Sequence, residues 1–260
     1  MNRRSFTQSV GTGAVLSALA ASQGEAQQTR KTGIYRLDSF YCRQGEQTSR
    51  INEFLTSQLP LLARNTQACG IFNALVAPQL PTTLVLRGYA SLEEMQSADD
   101  RLGRDAAFRA AHEKLEAGAE PPFDRADAVL LRPTDFASDI VPLKDKPKSP
   151  RVFELRVYHS PTERQLRYLH ERFAGPEIGI FHRCGIFPIL YTDTLIGPNM
   201  PNLTYFIPFA SLAAREKAWD AFSADPDWAK ARADSVARGG QIVANSQISL
   251  WRPAPFSPIQ

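Results

Sequence analysis

The sequence predicts an α+β fold of two tandem ferredoxin-like units, each β-α-β-β-α-β, packed on one another within a single chain. Three observations carry that expectation. Landmarks recur at a nearly fixed spacing, both halves pass through strand and helix patterns in the same order, and each unit alone would leave one sheet face bare. Cys69-Gly70-Ile71-Phe72 recurs as Cys184-Gly185-Ile186-Phe187, 115 residues on, and Ala90-Ser91-Leu92 recurs as Ala210-Ser211-Leu212, 120 residues on. The shift of 120 also relates Asp105 to Asp225, Phe108 to Trp228, Leu130 to Leu250, Arg132-Pro133 to Arg252-Pro253 and Phe136 to Phe256.

The first half reads as a strand over Ile34–Tyr41, a helix over Thr48–Arg64 and strands over Ile71–Ala77 and Thr83–Tyr89. Phe54, Leu55, Leu59 and Leu62 give its first helix an apolar face. A helix from Ser91 to about Leu102, a segment Asp105–Leu115 and a strand Ala128–Arg132 complete the unit.

The second half is clearer. Phe153, Leu155 and Val157 alternate with Glu154, Arg156 and Tyr158, as in a half-buried strand. Pro161-Thr162-Glu163 suits a helix start, Leu166, Leu169, His170 and Phe173 share its face, and Gly175-Pro176 ends it. Strands follow over Ile186–Thr192 and Leu203–Phe209, with a turn at Gly197-Pro198-Asn199 between them. Ser211 caps a helix over Leu212–Ser223, Asp225-Pro226 opens another, and a last strand lies within Ile242–Arg252.

The domain organisation that results is residues 1–27 as a targeting segment, 32–138 as the first unit, 139–150 as a Lys- and Pro-rich linker and 151–258 as the second unit. Arg3-Arg4 followed by Phe6 and a short apolar stretch, Val10–Ala21, resembles a twin-arginine export signal. It implies a periplasmic or secreted protein with no permanent membrane anchor, since the stretch is too short to span a bilayer.

Composition fits an ordinary globular protein: 260 residues, 43% hydrophobic and 22% charged. A net charge of +3 with no basic block excludes a nucleic-acid footprint. Cys42, Cys69 and Cys184 suggest buried thiols, not a disulfide framework. There is no nucleophile elbow, phosphate loop, dinucleotide fingerprint or zinc spacing, so no motif requires a cofactor or metal.

Strand parity is the guide to a site. If Phe153, Leu155 and Val157 meet the helices, then Glu154, Arg156 and Tyr158 point between the two sheets, joined by Arg36 and Asp38 of the first half. Such buried charges need partners, so they form either a structural ion-pair network or a ligand-binding row. His170 on the helix could serve as a general base or as a packing residue, and His182 lies in a loop before the second strand. Tyr191 and Tyr205 could line a cavity or simply pack. The three tryptophans read as packing residues.

The second half resembles the NIPSNAP family of the dimeric α-β barrel superfamily. The residues that carry this are Phe153-Glu154-Leu155-Arg156-Val157-Tyr158, Cys184-Gly185-Ile186-Phe187, Asp225-Pro226-Asp227-Trp228 and the run Leu250-Trp251-Arg252-Pro253-Ala254-Pro255-Phe256. In the first half Phe40 stands where Tyr158 does, and Arg36 and Asp38 stand where Glu154 and Arg156 do, with both charges reversed.

The resemblance implies the barrel fold and a ligand-sized cavity, with the chemistry open. The expected function is binding of a small apolar or aromatic molecule between the sheets. If there is turnover, cofactor-independent oxygenation or isomerisation is expected, with His170, Glu154 and Tyr158 as catalytic candidates. Arg156, Tyr205, Tyr191, His182, Arg36 and Asp38 are the ligand-binding candidates. The alternatives are a non-catalytic interaction or homo-oligomerisation module and a haem-binding enzyme, since a lone histidine can serve as an axial ligand.

Overall fold

The computed structural model of the chain describes residues 31–260 apart from positions 138, 144 and 146; the Arg3-Arg4 export segment lies outside the described residues. The first half supplies β1 (Ile34–Tyr41), α1 (Gln47–Arg64), β2 (Ala68–Val76), β3 (Thr82–Tyr89), α2 (Leu92–Arg104), α3 (Ala106–Glu116) and β4 (Arg125–Pro133). The second supplies β5 (Val152–His159), α4 (Glu163–Arg172), a π-helical turn (Phe173–Glu177), α5 (Ile178–Arg183), β6 (Leu190–Ile196), β7 (Asn202–Phe209), α6 (Leu212–Ala224), α7 (Pro226–Gly239) and β8 (Asn245–Pro253). Among the described residues no helix is long and apolar enough to cross a membrane.

The recurring landmarks are helix starts. Ser91 accepts a hydrogen bond from Glu94 N at 3.2 Å, and Ser211 accepts one from Ala214 N at 3.1 Å. Asp105 accepts from Phe108 N at 2.9 Å and Asp225 from Trp228 N at 3.1 Å. Each side-chain oxygen satisfies an amide that the first helical turn leaves without a partner.

All eight strands close into one antiparallel barrel in the order β1-β3-β2-β8-β5-β7-β6-β4, with β4 returning to β1. The two sheets join edge to edge, not face to face as the sequence suggests. One seam sets Phe72 opposite Pro253 and Asn73 opposite Arg252; the other sets Thr192 opposite Pro133 and Asp193 opposite Arg132. The shift of 120 residues carries one seam onto the other, and each contains a register break at the equivalent place, between Ala74 and Val76 in one and between Thr194 and Ile196 in the other. Closure removes the free edges that an isolated four-stranded sheet would expose.

The same registers correct the Cys-Gly-Ile-Phe recurrence. Ile71 pairs with Val85, and Tyr191 pairs with Tyr205, so Ile71 corresponds to Tyr191 and not to Ile186. Cys184 to Phe187 form the approach to β6, which begins four residues later than the apolar run suggests. Gly175-Pro176 kinks the helical path within the π-helical turn, and α5 carries it on to Arg183.

An eight-stranded barrel is just wide enough for side chains to fill. Here Phe72, Phe153 and Phe206 meet with ring centroids 4.9–5.1 Å apart, surrounded by Leu37, Leu84, Leu86, Leu131, Leu155 and Leu190. The remaining void is about 10 Å³, too small for a ligand. An interior pocket between the sheets is therefore contradicted. Residues 140 and 141 are held on the barrel: Ile140 N donates to the Tyr35 hydroxyl at 2.9 Å and Val141 N to Ile189 O at 2.8 Å.

Candidate functional site

Because Phe153 and Leu155 fill the barrel, the alternate residues of β5 face outward beneath the helices. This reverses the parity expected from the sequence, for a physical reason. Both faces of β5 are buried, one by the barrel and one by the helix layer, so alternation marks two faces without saying which is which. Arg156 and Tyr158 form the floor of a cavity roofed by α6, α7 and the π-helical turn, with Glu154 buried behind them.

Glu154 is fully buried and accepts hydrogen bonds from Arg156 Nε, from Arg215 Nε on α6 and, at 3.2 Å, from Trp219 Nε1. Its partner is its own neighbour Arg156, not Arg36 of the other half. Arg156 donates to the Tyr158 hydroxyl at 2.6 Å, and its guanidinium lies 3.6 Å from the Trp219 ring centroid. Burial disfavours the Arg156 charge, but Tyr205, Tyr158 and Glu154 outweigh that and raise its pKa above the ordinary value.

A second buried pair closes the far side. Arg172 Nε donates to Glu177 Oε2 at 2.7 Å, its Nη1 reaches Ser235 Oγ at 3.3 Å, and its guanidinium covers the Trp228 ring at 4.8 Å. Burial pushes the Glu177 carboxyl up to about 7, against the pull of Arg172 and Arg156. The cavity between these groups holds about 480 Å³, within the range of small-ligand sites. Its wall carries Arg156, Arg172, Arg215 and Arg232 against the single carboxylate of Glu177, with Trp219 and Trp228 as flat apolar surfaces.

The other candidates fall elsewhere. Tyr205 backs the cavity through its ring, 5.2 Å from that of Tyr158, and Tyr191 stacks behind it at 5.9 Å; neither lines the cavity. Burial raises the pKa of both phenols. His170 Nε2 lies 2.7 Å from Asp193 Oδ1 and edge-on to Phe136, outside the cavity lining. His182 is exposed and stacks on Phe187 at 5.3 Å. No histidine lines this cavity, so it offers no imidazole as an axial ligand for haem.

Sequence reasoning missed Arg172, Arg215, Arg232 and Glu177, which belong to no motif, and it set Trp219 and Trp228 aside as packing. One signal was available: Trp219 stands where the first half has Asp99, so the position exchanges a carboxylate for an aromatic ring. In the first half, Arg36 and Asp38 lie under α2 as an ion-pair cluster. Arg36 donates to Asp38 at 2.7 Å and Asp99 at 3.2 Å, and Arg87 donates to Asp38 at 2.7 Å. Asp99, its side chain 39% exposed, sits at the rim of this cluster and also accepts from Arg87 at 3.5 Å.

Residues 153–258 match the model of the NIPSNAP family. No curated protein matches the chain. Among solved structures, a candidate monooxygenase from Lactobacillus acidophilus NCFM is similar at 8% identity and a TM-score of 0.55, over 86% of this chain and 94% of that one. An anthrone oxidase-like protein is similar at 14% identity and a TM-score of 0.53, over 87% and 93%. A NIPSNAP family protein from Agrobacterium tumefaciens str. C58 aligns at 20% identity and a TM-score of 0.36, over 41% of this chain and 90% of that one. The whole-chain similarities show the fold, a dimeric α-β barrel built within one polypeptide.

Proposed function

We propose that the second half binds a small aromatic molecule bearing an acidic group, in the cavity between β5 and the helix layer. The observation that carries this is four arginines around two tryptophan faces. Counting Glu154 and Glu177, the cluster keeps an excess of two positive charges, which favours an anion in a partly desolvated space. The expectation of an apolar or aromatic ligand is thereby narrowed in charge and moved from the barrel interior to the space under the helices.

Any chemistry would begin with a proton. Cofactor-free oxygenation and isomerisation share the removal of an acidic proton from the substrate, and oxygenation is compatible with what the two whole-chain neighbours are called, a candidate monooxygenase and an anthrone oxidase-like protein. In this cavity Glu177 would accept the proton, while Tyr158 and Arg156 would hold the oxygen on which negative charge develops. Glu154 would act behind them, fixing Arg156 and Arg215. The Arg3-Arg4 segment supports export as the accompanying proposal for location.

Calorimetric titration with 2-naphthoate and its neutral amide tests the binding proposal. The acid should bind about tenfold more tightly than the amide, and both Arg232→Met and Ser223→Phe should weaken it by about tenfold or more. Equal affinity for acid and amide, or no binding of either, would remove the proposal. Glu177→Gln should abolish exchange of an acidic C–H of a bound ligand in D₂O; exchange that persists would exclude Glu177 as the base.

A further inference from the structure

The helix layer of the first half covers a second cavity at the place related by the barrel's pseudo-twofold axis. It holds about 360 Å³ and lies over β1 and β3, beneath α1, α2 and α3. Its wall is far less polar than that of the larger cavity. Phe40 and Phe123 meet edge-on at 5.2 Å, Phe54 and Phe108 at 5.7 Å, and Leu62 and Leu102 complete the apolar part.

One end is charged, but balanced. Arg36 and Arg87 face Asp38 and Asp99, so the four formal charges cancel where the second half keeps two in excess. Asp38 is only 6% exposed and accepts hydrogen bonds from both arginines. The buried Arg87 Nε–H has no hydrogen-bond partner among the described residues, leaving one donor for an incoming acceptor. An anionic ligand would face two carboxylates here, so the cluster disfavours it.

We infer that this first-half cavity is a separate ligand site, taking a neutral, largely apolar molecule with one hydrogen-bond acceptor such as a carbonyl oxygen. The apolar wall would hold the body of the ligand and Arg87 its acceptor. The two halves would thus share an architecture but select ligands of different charge: the exchanges of Asp99 for Trp219 and of Arg87 for Ile207 cancel, and the excess in the second comes from Arg215 and Arg232, which stand where the first half has Met95 and His112.

Two equivalent positions make the test specific. Gly103 on α2 and Ser223 on α6 are related by the 120-residue shift, and each lines its own cavity. A Cβ built on Gly103 meets no atom within 4 Å, so a larger side chain has room to enter, and replacing a helical glycine favours the helix. The probe is 6-propionyl-2-dimethylaminonaphthalene, a neutral ketone whose emission shifts to the blue in apolar surroundings.

The full-length protein should bind one molecule of this probe with a blue shift. Gly103→Phe should weaken binding by about tenfold or more, whereas Ser223→Phe should change it by less than about twofold. His112→Trp, at a half-exposed position of the same cavity wall, is a second obstruction that repeats the Gly103→Phe result should that variant fold poorly. No blue-shifted binding, or binding untouched by both first-half variants, would overturn the inference. So would binding abolished by Ser223→Phe alone. Since 2-naphthoate reports the second cavity in the same variants, failure of one site is distinguishable from failure of the other.

Discussion

Arg156 lies over the Trp219 ring, its guanidinium carbon 3.6 Å from the ring centroid, and this contact ties the floor of the larger cavity to its roof. Glu154 accepts from both partners, so the stack is held in one orientation. A partly desolvated cation on a tryptophan face contributes about 1–2 kcal/mol. A double-mutant cycle with Arg156→Met and Trp219→Leu, followed by urea unfolding, should give a coupling of that size. Additive losses would show that the two residues pack without interacting.

Glu177 should make stability depend on pH. Its folded-state pKa of about 7 lies above the ordinary 4.5, so the folded protein binds the proton more tightly than the unfolded chain. The stability that this group contributes should therefore be fully present below about 4.5, fall as pH rises towards about 7, and level off above that. The drop from this one group is on the order of a few kcal/mol. Glu177→Gln should flatten the profile between pH 5 and pH 8 in chemical denaturation. A variant whose profile parallels the parent's would rule out Glu177 as the titrating group.

The filled barrel separates stability from binding. Phe153→Ala empties a wholly buried ring from the Phe72–Phe153–Phe206 cluster and should cost about 3–5 kcal/mol. Affinity for 2-naphthoate should stay within about twofold, because Phe153 points away from the cavity on the same strand. A large loss of affinity in a variant that still folds would place the ligand inside the barrel.

The seams predict behaviour on dissection. Alone, residues 151–260 would expose the edges of β6 and β8, which the first half covers through β4 and β2. Since the two seams are equivalent by the 120-residue shift, this half should pair with a second copy of itself and close the barrel as a dimer. Light scattering on the isolated half should give twice the chain mass; a stable monomer would mean that the edges need no partner.

Much of this architecture was legible in the sequence, and its failures have physical causes. Strand β1 has the bounds that its pattern gives, and the shift of 120 survives in helix caps, strand registers and both seams. Cys-Gly-Ile-Phe misled because four identical residues outweighed a broken spacing: Ile186 is apolar because it buries against the helix layer, not because it lies in a strand. The direction of Glu154, Arg156 and Tyr158 was not legible, since a strand buried on both faces alternates in the same way whichever face meets the helices. Nor were Arg172, Arg215 and Arg232, whose convergence on one cavity depends on tertiary neighbours. Tyr191 and Tyr205 were found as large buried rings, but packed behind the cavity wall.

A crystal structure of the full-length protein soaked with 2-naphthoate tests most directly where the ligand sits. Density for the rings against Trp219 and Trp228, with the carboxylate on the arginines around Arg156, is the result that a helix-covered site requires. Density within the barrel or only at the surface, at a concentration that saturates binding in solution, would contradict it.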